Sequence, residues 1–205
     1  MSQIIAAPTP AIAAPVDAEP TPRLWTREEY YRMGEMGFFD GQRVELIEGE
    51  IMVLSPQKAE HWTTTDLVAE LLRARFGSGY HVRMQGPIDF GPVSEPEPDI
   101  AVIVGTRSQY ATHHPQTAVL IVEVSESRLD YDRRRKASLY ARAGIADYWI
   151  VNLVNNQLEV RRDPRPDPSQ HYGHGYASLA TLVPPAVVNP LAAPQISLAV
   201  ADLLP

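Results

Sequence analysis

LIVEVSESRLDYDRRRK, residues 120–136, is the stretch on which the fold turns. Its first half is an apolar, β-branched run of the kind that forms a buried strand. Its second half passes into a helix whose start is crowded with charge, ending in three arginines and a lysine. An acid, Glu123, stands at the centre of the apolar half, where an uncompensated carboxylate is costly. About twenty residues upstream, EPEPDIAVIV repeats the arrangement, with Asp99 just ahead of another apolar run.

Working outward, the segments alternate between strand and helix patterns. TREEYYRMGEM has capping-box spacing at Thr26 and Glu29 and predicts a helix. RVELIEGEIMVLS predicts a β-hairpin turning at Glu48-Gly49. HWTTTDLVAELLRARF predicts a second helix whose apolar stripe is Leu67, Val68, Leu71, Leu72 and Phe76. YHVRMQGPIDF reads as two short strands or one bent strand, and DIAVIVG and AVLIVEVS as buried strands. GTRSQYATHHPQT is a loop, and DRRRKASLYARAG a helix stopped by Gly144. DYWIVNLVNNQLEVRR predicts another hairpin around Asn155-Asn156. Residues 163–175 read as a polar Pro/Gly-rich loop, YASLATLV as one more strand, and ISLAVADLL as an apolar patch that packs on its own domain or on a partner. Strands interspersed with helices imply an α/β or α+β domain with one mixed sheet flanked by helices.

Composition narrows the function classes. The chain has 205 residues, 44% hydrophobic and 21% charged, which suits one soluble domain with a sizeable core, expected over 23–205. Residues 1–22 are rich in Ala and Pro, have no basic n-region, and read as a disordered tail rather than a signal peptide. No cysteine is present, which excludes disulfides, thiolate zinc sites and cysteine nucleophiles, and fits the cytoplasm, the expected location. No apolar run reaches the ~18 residues that a membrane span requires. The net charge of −7 argues against broad affinity for nucleic acid, though not against a local basic groove or a carboxylate-rich metal site.

If DIAVIVG and AVLIVEVS are sheet neighbours, Asp99 and Glu123 converge at one end of the sheet. Mg²⁺ prefers carboxylate oxygens, commonly one or two of them, together with waters and substrate phosphate. Two acids and a nearby lysine can hold such an ion and stabilise charge developing on a phosphate.

Glu97-Pro98-Asp99 followed by Glu123-Val124-Ser125 resembles the PD-(D/E)XK nuclease motif. More closely, VELIEGEIMVLSP with His61 soon after, EPDIAVI, LIVEVSES, the Asp132…Lys136 spacing and YARAGIADYWIVN resemble the Uma-two family of restriction endonucleases, once a domain of unknown function. These blocks are distributed over about half the chain. The resemblance implies a restriction-endonuclease-like core and a Mg²⁺- or Mn²⁺-dependent cut in DNA. It implies Asp99 and Glu123 as metal ligands and Glu45 as a further catalytic acid. The superfamily lysine would fall where this chain has Ser125; the resemblance implies Lys136, from the following helix, in its place.

Each residue also has a plainer role open to it. Asp99 could cap a turn, Glu123 could pair with Lys136 or an arginine, and Lys136 could belong to a solvated helix face. Glu45 could face solvent, and His61 could be a surface or capping residue. As substrate contacts the candidates are His61, Gln85, Arg133, Arg134 and Arg135. Tyr140 is expected to pack on Lys136 and Tyr148 and Trp149 in the core, while His113, His114, His171 and His174 lack the spacing of a zinc motif. The reading is an endodeoxyribonuclease, with a non-catalytic scaffold or a hydrolase of another phosphate ester as alternatives. A two-strand cut would be simplest for a homodimer.

Overall fold

The computed structural model describes residues 20–205. The tail expected over 1–22 lies outside these as far as residue 19. Helix α1 (Arg27–Glu35) begins at a complete capping box between Thr26 and Glu29. A hairpin follows, β1 (Arg43–Ile47) and β2 (Glu50–Leu54), turning at Glu48 and Gly49 with φ of 52° and 78°. Both positive values belong to a tight two-residue hairpin turn. At Gly49 a Cβ would also stand 2.6 Å from that of Leu24, so only glycine fits.

Next come α2 (Ala59–Phe76) and the main sheet. Its six strands lie in the order β3 (Tyr80–Met84), β4 (Ile100–Val104), β5 (Leu120–Ser125), β6 (Asp147–Asn152), β7 (Gln157–Pro166) and β8 (His174–Leu182). All neighbours are antiparallel except β5 and β6. A parallel pair needs a crossover, and residues 126–146 supply it. Within them α3 (Leu129–Tyr131) runs into a π-helical stretch, Asp132–Lys136, and on into α4 (Ala137–Arg142). Gly144, at φ 75°, follows its end.

Side-chain alternation divides the core in two. Val102, Leu120, Val122, Val124, Trp149 and Val151 pack on the α2 side of the sheet. Ala101, Ile103, Ile121, Tyr148 and Ile150 pack on the other, with Leu139 and Tyr140 of α4 and Ile47 of the hairpin. Glu123 shares the parity of Ile121 and faces α4. The C-terminal run joins the α2-side core through Leu198 in β10 (Leu198–Ala199), which pairs with β9 (Val187–Val188), and through Val200 and Leu203. The apolar ISLAVADLL thus packs on its own domain.

Three expectations are corrected. The buried face of α2 is His61, Thr64, Thr65, Val68, Ala69, Leu72 and Phe76, while Leu67 is 39% exposed. Thr64 and Thr65 can be buried because their hydroxyls donate to the carbonyls of Glu60 and His61. The segment 80–90 yields one strand, closed by Gln85 at φ 48°. The loop drawn over 163–175 is shorter, since β7 runs to Pro166 and β8 starts at His174.

Candidate active site

Strand register brings the two acids together. Ile100 lies opposite Val122 in the antiparallel β4–β5 pair, and one further step sets Asp99 across from Glu123. Each residue holds the other. The Asp99 N–H donates to Glu123 Oε2 (3.2 Å), and the Val124 N–H donates to Asp99 Oδ2 (2.9 Å). From the π-helical stretch, Lys136 Nζ reaches Glu45 Oε2 at 2.8 Å and Glu123 Oε1 at 3.2 Å. The hydroxyl of Tyr140, one turn on, donates to Glu123 Oε1 at 2.6 Å. His61, in the first turn of α2, places Nε2 3.1 Å from Asp99 Oδ2. Five separate elements thus meet at one point.

Burial sets the electrostatics. Asp99, Glu123 and Lys136 are each 4% exposed, and Glu45 is fully buried. Asp132, also buried, lies on the inward face of the π-helical stretch with Lys136. Four acids therefore share one buried lysine. Lys136 sits closer to Glu45, at 2.8 Å against 3.2 Å, which leaves Glu123 the less compensated of the two acids. Its carboxyl is pushed up to about 8, chiefly by burial, against the attraction of Lys136 and with the repulsion of Asp99 and Asp132. Asp132 is raised to about 6, again by burial. Burial acts on Asp99 too, but His61, the Val124 N–H and Lys136 outweigh it and hold this carboxyl below its ordinary value. The attraction of Glu123 and Glu45 overcomes burial at Lys136 and keeps the ammonium protonated.

The sequence-predicted residues divide sharply. Glu45, Asp99, Glu123 and Lys136 come together as one cluster, and His61 joins them as a partner of Asp99. The plainer role for Glu45 is overturned: β1 is covered on both faces, and Glu45 also accepts bonds from the Glu97 N–H and the Tyr131 hydroxyl. The three arginines point elsewhere. Arg133 makes a two-pronged pair with Glu159, Arg134 pairs with Asp130 at the surface, and Arg135 pairs with Glu50. Gln85 meets the site only through its backbone, whose N–H donates to the Asp99 carbonyl. Tyr140 does more than pack on Lys136, and its hydroxyl bond to Glu123 had no signal in the sequence.

Also missed was Arg128. With Gln57, Lys58, His61 and Ser125 it lines a hollow of about 40 Å³ that adjoins the site through His61, the partner of Asp99. It makes no ion pair among the described residues, in contrast to Lys58, which pairs with Glu126. Its charge could have been read from the sequence, but not its position.

The donor set fits a hard divalent cation. Among the described residues no three His, Asp or Glu side chains form a ready-made metal cage. The set is small: two adjacent carboxylates, the number that Mg²⁺ uses when waters and phosphate complete its shell. A buried carboxyl that keeps its proton for want of a compensating cation and the buried, unpartnered Nδ1 of His61 are what an ion and its waters would satisfy. The hollow has room for water-sized species.

A mixed sheet with a carboxylate pair and a lysine at one end defines a restriction-endonuclease-like α+β domain. Residues 27–201 match the Uma2 family, described as "putative restriction endonuclease", and the chain belongs to that family. That membership supports a nuclease, and so a nucleic-acid substrate. Among solved structures, the chain resembles a crystal structure described as a putative nuclease of DUF820 from Anabaena variabilis, at 16% identity and a TM-score of 0.61, over 79% of this chain and 89% of that one. That likeness extends to the fold. No curated protein matches the chain significantly. Among the described residues no helix is long and apolar enough to cross a membrane.

Proposed function

We propose that the protein is a Mg²⁺-dependent endonuclease that hydrolyses phosphodiester bonds in DNA. The observation that carries this reading is the meeting of Asp99, Glu123 and Lys136, from separate elements, at one buried point, with a small polar hollow adjoining it through His61. Asp99 and Glu123 would hold the ion, Mn²⁺ serving in place of Mg²⁺. When bound, it would supply charge neutralisation and a water of lowered pKa.

The chain's own residues do the rest. Lys136, held protonated, faces the phosphate and stabilises the charge that builds on its oxygens as water attacks phosphorus and the P–O bond to the leaving alcohol breaks. Glu45 fixes the ammonium in position. Tyr140 and His61 orient the two carboxylates, as the outer partners of metal ligands do. Arg128, unpaired at the mouth, takes the role of backbone-phosphate contact that the sequence had offered to Arg133–Arg135.

One observation favours a second reading, a scaffold that binds without cutting: both Glu123 oxygens and Asp99 Oδ2 already accept close hydrogen bonds within the protein. Plasmid nicking with Mg²⁺ or Mn²⁺, beside EDTA and a Glu123→Gln control, separates the two. Metal-dependent nicking lost in the variant supports the nuclease. If nicking is absent and calorimetry finds Mg²⁺ binding identical in wild type and Asp99→Asn, the metal site is refuted.

A further inference from the structure

Twelve of the eighteen lysines and arginines form an ion pair among the described residues. The six that do not are Arg73, Arg75, Arg83, Arg107, Arg128 and Arg165. Arg128 guards the candidate active site, but three of the others gather at the opposite end of the sheet. Arg73 and Arg75 lie in the last turn of α2 and Arg107 just beyond β4, while Arg83 sits further along edge strand β3, opposite Ala101. On a chain of net charge −7 such a concentration of free cations is not a general surface property.

Two of these residues, Arg73 and Arg107, also shape a concavity. Arg73, Phe76, Tyr80, His81 and Arg107 surround a hollow of about 170 Å³ into which no acid projects. Small-molecule pockets run to roughly 300–1,000 Å³, so this one suits a single anionic group presented by a larger molecule better than a whole nucleotide. Phe76 and Tyr80, packed edge to face at 5.0 Å, give it a rigid wall.

We infer that this hollow is a second phosphate-binding site, which grips the backbone of a nucleic acid at a distance from the carboxylates. That the phosphate belongs to a nucleic acid rests on the nuclease reading. The strand β3 joins the two ends: Gln85, beside Asp99, and Tyr80, at the hollow, are five residues apart, about 17 Å of extended chain. A bound strand would therefore be held at both ends of β3. The His81 imidazole supports the assignment, since burial and then Arg107, Arg83 and Arg73 hold it below the ordinary histidine value. An anion placed among these groups would reverse that effect. A different role, blocking edge-to-edge pairing of β3 by charge alone, requires no ligand.

The test compares wild type with Arg73→Gln/Arg107→Gln, in EDTA so that nothing is cut. Binding of a DNA duplex is followed against salt concentration, and the His81 imidazole resonance is followed by NMR as inorganic phosphate is added. Each phosphate contact contributes about 0.9 to the slope of log K against log salt, so the double variant should lose about 2 from that slope and bind roughly tenfold more weakly at low salt. Phosphate should move the His81 resonance in wild type and not in the variant. An unchanged slope overturns the proposal, whatever the nicking assay shows. Phosphate-sensitive His81 in a protein that binds no DNA overturns the nucleic acid as the source of the phosphate, while the nuclease reading stands or falls separately on metal-dependent nicking. A variant that merely aggregates while retaining its slope identifies edge protection instead.

Discussion

The two ends of the sheet treat charge in opposite ways. At the carboxylate end, Glu45, Asp99, Glu123 and Lys136 are buried and tied to one another by hydrogen bonds of 2.8–3.2 Å. At the far end, Arg73 and Arg107 stand exposed around a hollow that no acid lines. Charge taken out of water is tolerated only where partners are fixed, so the first end is sensitive to any substitution that strands a charge. The second is open, and its charge is available to something outside the chain. The same kind of residue thus signals chemistry in one place and attraction in the other.

The largest effect is expected where the buried network loses its only ammonium. Lys136→Met would leave Glu45 and Glu123 facing each other in the core without a cation, and breaking such a pair costs roughly 3–5 kcal/mol. Urea unfolding in EDTA measures it. Adding Glu45→Gln should restore part of the loss, because it removes one of the stranded charges, while nicking stays abolished in both. A single variant as stable as wild type would mean that the lysine is not a structural partner of these acids.

Much of this end was legible beforehand, for particular reasons. Glu123 announced itself because a carboxylate in the middle of a β-branched run has few tolerable explanations. Asp99 followed from strand pairing, since adjacent antiparallel strands bring the start of one beside the end of the other. Lys136 and Glu45 depended on the family resemblance, because a hairpin acid and a helix lysine have no spacing that links them. The directions of Arg133, Arg134 and Arg135 were not legible. They depend on the π-helical turn, which points Asp132 and Lys136 inward together and spreads the arginines around the outside. The Tyr140 hydroxyl and the His61 ring were hidden for a similar reason: both depend on how a helix end is set against the sheet, not on any local pattern. The cationic hollow was invisible because Arg73 and Arg107 are far apart in sequence and each looks like an ordinary surface residue.

A titration sharpens the contrast at a second level. The Glu123 carboxyl is raised by burial to about 8 from an ordinary value of 4.5, so the folded state holds its proton more tightly than the unfolded chain does. The stability associated with that proton is fully present below about pH 4.5 and is lost as the pH rises to about 8. In EDTA, Glu123→Gln should therefore remain stable across this window while wild type weakens, and the gap between them should grow toward pH 8. Parallel stability curves would remove the buried charge from the account. The hollow at the other end predicts the opposite trend: its arginines stay charged throughout, and His81 among them, held below the ordinary histidine value by burial and by Arg107, contributes stability that is lost as the pH falls.

The smallest effects separate two neighbours in one arginine run. Glu159 is buried and receives Arg133 through both Nε and Nη2, with Asn152 and Arg161 in support. Arg133→Ala should cost about 1 kcal/mol, since the guanidinium is partly exposed and the other two donors remain. Arg134 pairs with Asp130 one turn away, both about three-quarters exposed. Arg134→Ala should leave stability within about 0.5 kcal/mol of wild type, and nicking and DNA affinity unchanged. If Arg134→Ala instead weakened DNA binding as much as Arg73→Gln/Arg107→Gln does, free charge anywhere on the surface would suffice. The hollow at the end of α2 would then have no special claim on the phosphate.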